Sequence, residues 1–172
     1  MTIAPEFSRT LPWAAVGKEG RRQKLEATAE ECAALARRFG IPAIEAFSAE
    51  LELRPEGSEA IRARGHLSAR VVQSCVVTLE PVAQTVEEPV DLRFLAEGEE
   101  PGDDPEGPDE IPTERDVLEL GEALAEQLSL ALDPYPRAPG AELPAEILTE
   151  SPEEEEEPVR RNPFSILKDR KA

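Results

Sequence analysis

One histidine, two cysteines and a large excess of carboxylates set the chemistry open to this chain. His66 is the sole imidazole, so acid–base catalysis near neutral pH would rest on one side chain. It sits among Arg62, Arg64 and Arg70, with no acid marked out in the sequence to orient it. That setting suits a solvated or RNA-facing residue better than a general base. Cys32 and Cys75 are too few for a disulfide scaffold, and with one His they cannot complete a four-ligand zinc site. There is no Gly-rich phosphate loop, H-E-x-x-H, G-x-S-x-G or C-x-x-C. Carboxylates are so abundant that choosing one pair as a metal or acid–base site would be arbitrary. These residues lead to an expectation of no catalytic residue, no cofactor and no metal.

The elements that must position these side chains come from 172 residues with 40% hydrophobic and only 4% aromatic content. That is enough for one small domain with a core of Leu, Val, Ile and Ala. The formal charge is −18, but it is unevenly spread. Residues 96–110 hold eight acids and no base, and residues 141–157 again hold eight acids and no base. Both arms are rich in Glu with Pro or Gly and are poor in the apolar residues that offset ordering entropy. Two readings stand for them: solvated segments that keep the protein soluble, or a lure for a basic partner. No apolar run approaches the roughly 20 residues that cross a bilayer. The start, Met1 to Glu6, lacks the charged-then-apolar pattern of a signal peptide, so a cytoplasmic protein is expected.

Along the chain, Glu6 to Leu11 reads as an edge strand stopped by Pro12, and residues 18–24 read as a basic turn. Thr28 and Glu31 form a capping box, followed by a helical stripe of Cys32, Leu35, Ala36 and Phe39 and a stop at Gly40. In this stripe Cys32 is a small core residue. Phe47, Ala49, Leu51 and Leu53 alternate as a strand until Pro55-Glu56-Gly57. The longest alternation, 61–79, has one apolar face at odd positions and a wet, basic one at even positions. A second run, 82–94, resumes after Glu80-Pro81 with Val86, Val90, Leu92 and Phe94. Paired as a hairpin, the two runs suggest a register with Val71 opposite Val90 and Arg70 opposite Asp91. Its turn needs more than two residues, because Pro81 suits no ordinary two-residue loop. Thr113 with Asp116 suggests the cap of a second helix, carrying Val117, Leu120, Leu124 and Leu128 and ended by Asp133-Pro134.

Near the end, Asn162 and Pro163 resemble a helix start, and Phe164 and Leu167 form an apolar turn flanked by Arg160, Arg161, Lys168, Arg170 and Lys171. This is a candidate partner-docking peptide on a tether; the alternative is a segment that folds back on its own domain.

Several segments occur in an order that resembles a known family: Glu6-Phe7-Ser8-Arg9, Cys75 to Val82, Asp116 to Leu132 with Asp133-Pro134-Tyr135-Pro136-Arg137, and Asn162-Pro163-Phe164 with Leu167-Lys168. Together they are similar to the YceD family, the large ribosomal RNA subunit accumulation protein, in its alphaproteobacterial form. The resemblance implies a non-enzymatic role in accumulation or processing of large-subunit rRNA. It also implies frequent gene proximity to a small, basic large-subunit ribosomal protein. Many members carry a Cys pair at the hairpin. Here that stretch is Cys75-Val76-Val77-Thr78, so the zinc site of such members does not carry over, and strand parity turns Cys75 to the core.

The expectation is therefore an α+β fold, with an antiparallel sheet centred on a hairpin of about 61–79/82–94 and helices near 28–39 and 114–132. A single domain is expected over 1–140, with an acidic disordered loop at 96–110 and an acidic disordered tail over 141–172. Two functional hypotheses follow, both in ribosome biogenesis. In one, Arg62, Arg64, Arg70 and Arg93 face the RNA of the large subunit or a pre-ribosomal particle; the plainer account of this face is solvation balanced by Glu87 and Asp91. In the other, the chain is an acidic escort for a basic ribosomal protein, using Glu153, Glu154, Glu155, Glu156 and Glu157 together with the 96–110 arm. Neither involves a membrane or a small-molecule substrate.

Overall fold

The computed structural model describes residues 5–102 and 107–142. The chain divides into two compact units between Pro139 and Gly140, and only residues 140–142 of the second are described. The expected tail and its docking peptide, Asn162, Pro163, Phe164 and Leu167, lie outside the described residues, as do Glu153 to Glu157.

The first unit is α+β. A five-stranded sheet runs in the order β2 (Arg21–Glu26), β3 (Ala43–Glu56), β4 (Ala60–Ser74), β5 (Pro81–Leu95) and β6 (Asp109–Pro112). Its first three pairings are antiparallel and the last is parallel. A two-stranded sheet joins β1 (Thr10–Pro12) to β7 (Val117–Glu119). Helices α1 (Ala29–Phe39) and α2 (Leu120–Ala131) complete the unit.

The core follows from alternation. Odd positions of β4 from Ile61 to Val71, Gly65 excepted, are buried, as are Leu51, Leu53, Val90, Leu92 and Phe94 on the flanking strands. Leu35 of α1 and Leu124 and Leu128 of α2 are wholly inside. Each fully buried Leu or Phe is worth about 1.5–3 kcal/mol of transfer free energy, so this shared layer dominates the stability. Phe7 and Phe47 form a tilted pair in this core, with ring centroids 5.3 Å apart.

Local signals explain α1. The Thr28 hydroxyl accepts from the Glu31 backbone N–H, the Glu31 carboxylate accepts from the Thr28 N–H, and Gly40 closes the helix at φ 67°. Helix α2 starts later than its expected cap. Thr113 is buried and donates its hydroxyl to the Leu95 carbonyl at 2.6 Å. Residues 117–119 are taken by strand β7, which runs straight into the helix. Glu119 at the cap position uses its carboxylate on the Arg9 N–H and the Ser8 hydroxyl instead, both at 2.7 Å. Tertiary pairing here overrides the local capping pattern.

Three further expectations are corrected. Residues 21–24 belong to β2 rather than to a turn, because Arg21 to Glu26 pair with Ser48 to Leu53. The hairpin register is shifted by six residues: Arg64, not Arg70, faces Asp91, and Gly65 faces Val90. The cause is the turn, which occupies residues 75–80, so that β4 stops at Ser74 and Leu79 lies outside the ladder with 77% of its surface exposed. An even shift preserves which face each residue occupies, so the inside–outside assignment of β4 survives the error. The acidic arm 96–110 also contributes to the fold, since Asp109 and Glu110 open β6 beside Leu92 and Arg93.

Candidate functional site

The sheet face opposite the helices carries the four arginines singled out in the sequence, Arg62, Arg64 and Arg70 at even positions of β4 and Arg93 on β5 beside Arg62. Register places them in rows. One row is Arg54, Arg62 and Arg93 with Glu110 on β6, and the next is Arg22, Glu52, Arg64 and Asp91. A third is Lys24, Glu50, His66 and Pro89, and Arg70 stands further along beside Ala46 and Thr85.

The structure brings Arg62 and Arg93 together around one carboxylate. Glu56 accepts from Arg62 at 3.4 Å and from Arg93 at 3.1 Å. Arg62 then forks onto Asp91, at 2.7 and 2.8 Å, while Arg93 reaches Glu110. Bonding to Asp91 raises the affinity of Arg62 for its proton, and Glu110 does the same for Arg93. Arg62 correspondingly holds Asp91 below the usual carboxylate range. Glu110 is also lowered, first by the Gly102 N–H and then by Arg93. Two guanidiniums and three carboxylates thus form a network in which Glu110 fastens β6 and Gly102 of the acidic arm to the sheet.

Arg64 and Arg70 are different. Each side chain is 62% exposed and holds a single longer ion pair, Arg64 to Asp91 at 3.4 Å and Arg70 to Glu45 at 3.7 Å. Exposed pairs of this kind contribute little to stability and exchange readily with solvent or another anion. The register keeps Arg70 away from the other three. His66 is exposed between Glu50 and Pro89.

At the far end of the hairpin, Cys75 is completely buried. Its burial was legible from strand parity, but its surroundings were not. The sulfur accepts backbone N–H groups from Val77 and Thr78 at 3.4 Å and from Ala138 at 3.3 Å. The Thr78 hydroxyl, followed by the Ala138 N–H, brings the thiol down to about 7. The Cys75 N–H donates to the Glu80 carbonyl, and the Val76 N–H donates to the Pro136 carbonyl, each at 2.8 Å. Cys75 therefore ties the turn to the segment after α2. The amide donors favour a thiolate, but a single Cys with Thr78 beside it supplies too few ligands for a structural zinc ion. Among the described residues, no group of three or more His, Cys, Asp or Glu side chains could hold a metal.

The first unit is thus an α+β domain that presents an open, ion-paired sheet face. The family described as large ribosomal RNA subunit accumulation protein YceD matches residues 63–171. The chain belongs to the YceD family, and ribosome biogenesis through large-subunit rRNA accumulation is the role that the family's description carries. The match begins within β4 and takes in the hairpin turn, β5 and α2. Neither the curated proteins nor the solved structures provide a match. Among the described residues, no helix is long and apolar enough to cross a membrane.

Proposed function

We propose that this chain is a non-enzymatic cytoplasmic factor in ribosome assembly, which supports large-subunit rRNA accumulation by escorting a basic large-subunit ribosomal protein. One observation carries this reading. Arg62 and Arg93, the least exposed of the four candidate RNA-facing arginines, are already neutralised by Asp91, Glu56 and Glu110. A phosphate would have to displace carboxylates that also hold β6 in place. The chain's excess charge is negative, and 16 of its 18 excess acids fall in the segments 96–110 and 141–157. Such arms attract a basic chain, repel RNA phosphates and shield the cargo until rRNA replaces them. In this reading residues 1–140 form the folded domain and residues 141–172 form an acidic tether that ends in the Asn162-Pro163-Phe164 and Leu167 docking peptide.

The test is capture of partners on the full-length tagged chain over a salt series. A basic ribosomal protein should be retained at low salt and lost steeply as ionic strength rises. Replacing Glu153 to Glu157 with Gln should loosen it; equal retention before and after that change would count against the escort.

A second reading, direct RNA contact, draws on the exposure of Arg64 and Arg70 and their long single ion pairs. Reversing both to Glu leaves the Arg62–Glu56–Arg93 network intact, so any loss of RNA crosslinking in that variant would be a surface effect.

A further inference from the structure

Strand β5 is fifteen residues long, but β6 pairs only with Leu92 to Leu95. Its stretch from Pro81 to Asp91 has β4 on one side and, among the described residues, no strand on the other. The orientation of its backbone groups follows from three observations. The Ala96 N–H turns inward to the Glu59 carbonyl, the Leu95 carbonyl turns outward to the Thr113 N–H, and both prolines of the strand sit at odd positions. Proline has no N–H to give to a ladder, so it occupies positions whose N–H side faces away from the neighbour. The odd residues of β5 therefore point their N–H and C=O groups away from β4. Ala83, Thr85 and Glu87 each present such a pair, and all three are exposed.

Along β5 and its turn the charge is one-sided, although Arg70 of β4 stands beside Thr85 and Asp91 is already paired with Arg62 and Arg64. Between Ser74 and Leu92 there are four acids, Glu80, Glu87, Glu88 and Asp91, and no Lys or Arg. Glu88 and Glu87 are exposed next to the open stretch. At the upstream end, the turn holds Leu79 out at 77% exposure in the left-handed region, φ 63°, and Val76 at 46%. Tyr135, 72% exposed, adjoins the Pro136 carbonyl that accepts from Val76. An exposed Leu at positive φ gains neither burial nor backbone comfort, so folding alone does not account for it.

We infer that the β5 edge from Ala83 to Glu87 is a docking edge that takes an extended, lysine- or arginine-rich segment of a partner protein as an added strand. The hairpin turn offers an apolar anchor at its upstream end. This rests on the escort reading above and gives that partner its place. Backbone pairing supplies register, and the carboxylates select for basic side chains. A second copy of this chain is disfavoured at the same edge. Edge-to-edge pairing would bring Glu87 and Glu88 against like charges, and Pro81 and Pro89 limit the free window to a few residues.

The probe is a synthetic peptide of alternating Lys and Val, titrated into the full-length chain and followed by amide shifts of residues 81–91. A twin peptide N-methylated at alternate amides keeps the charge and loses one edge of donors. The wild-type chain should bind the plain peptide at least about tenfold more tightly than its twin, a difference of roughly 1.4 kcal/mol. Thr85→Pro, at the same parity as Pro81 and Pro89, should cause a similar loss while leaving the β4–β5 ladder intact. Equal binding of the two peptides would overturn the proposal even if Thr85→Pro failed to fold. Retention of the cellular basic partner by a folded Thr85→Pro chain would overturn the edge and leave the escort standing. Self-association of the wild-type chain that Thr85→Pro abolishes would assign the edge to a second copy instead, and would also overturn the proposal.

Discussion

The Arg9 guanidinium grips both oxygens of the Glu31 carboxylate, at 2.7 and 2.8 Å. Arg9 also lies over the Phe7 ring, 4.5 Å from its centroid, and donates to the Glu26 carbonyl at the end of β2. One residue thus locks the N-terminal segment, the end of an edge strand and the cap of α1. Bonding from Arg9, then from the Thr28 N–H, lowers Glu31 to about 2. The folded state therefore holds its proton less tightly than the unfolded chain, whose value is near 4.5. The stabilisation is complete above about pH 4.5 and drains away as pH falls toward 2. Glu31→Gln should cost about 1–2 kcal/mol at pH 7. It should also flatten the acid limb of a urea-midpoint curve measured from pH 6 to pH 2.5; an unchanged limb would remove Glu31 from this role.

Close backbone approach predicts two intolerant glycines. A Cβ at Gly121 would meet the Phe7 carbonyl oxygen at 2.2 Å, and one at Gly65 would meet the Glu50 carbonyl oxygen at 1.8 Å. Neither neighbour is a flexible side chain. Gly65→Ala in β4 and Gly121→Ala in α2 should each destabilise by about 2 kcal/mol or more, the latter despite the usual preference for Ala over Gly in helices. Thermal unfolding checks both, and a rise in midpoint for Gly121→Ala would show that α2 can pull away from the N-terminal segment.

Leu79 behaves oppositely if it serves a partner. Leu79→Asn suits positive φ and loses no buried surface, so it should be neutral or stabilising by up to about 1 kcal/mol. Partner retention should fall in the same variant. A clear drop in stability would mean that the Leu79 side chain matters to the fold.

The hairpin sulfur offers a titration. Burial pushes the Cys32 thiol up, whereas Cys75 is held at about 7. In a Cys32→Ser background, thiolate absorbance should report a midpoint near 7, and Thr78→Val should move it upward by removing the hydroxyl donor. No shift on that change would leave the backbone N–H groups as the whole cause.

Much of this architecture is written in local pattern. Thr28, Glu31 and Gly40 mark the ends of α1 in the local sequence, and the alternation of β4 fixes which of its arginines face out. Register was harder to read, because an even slip leaves every side chain on its own face and keeps apolar opposite apolar. What set it was the six-residue turn around Cys75, whose Ala138 donor is 63 residues away in sequence. Thr113 and Asp116 imitate a cap, so local pattern starts α2 too early, and only the pairing of β7 with β1 shows that the chain is still extended there. The arginine face was visible, but its carboxylate partners were not. Glu56 and Glu110 reach Arg93 from 37 and 17 residues away, and no short spacing announces either.

In-cell crosslinking of the tagged full-length chain, with RNA and protein partners identified from the same cells, tests the escort most directly. The account predicts recovery of a basic large-subunit ribosomal protein, reduced when Glu153 to Glu157 are changed to Gln and unaffected by Arg64→Glu with Arg70→Glu. Recovery of large-subunit rRNA without such a protein, lost on reversing those two arginines, would contradict it and make the open sheet face the functional surface.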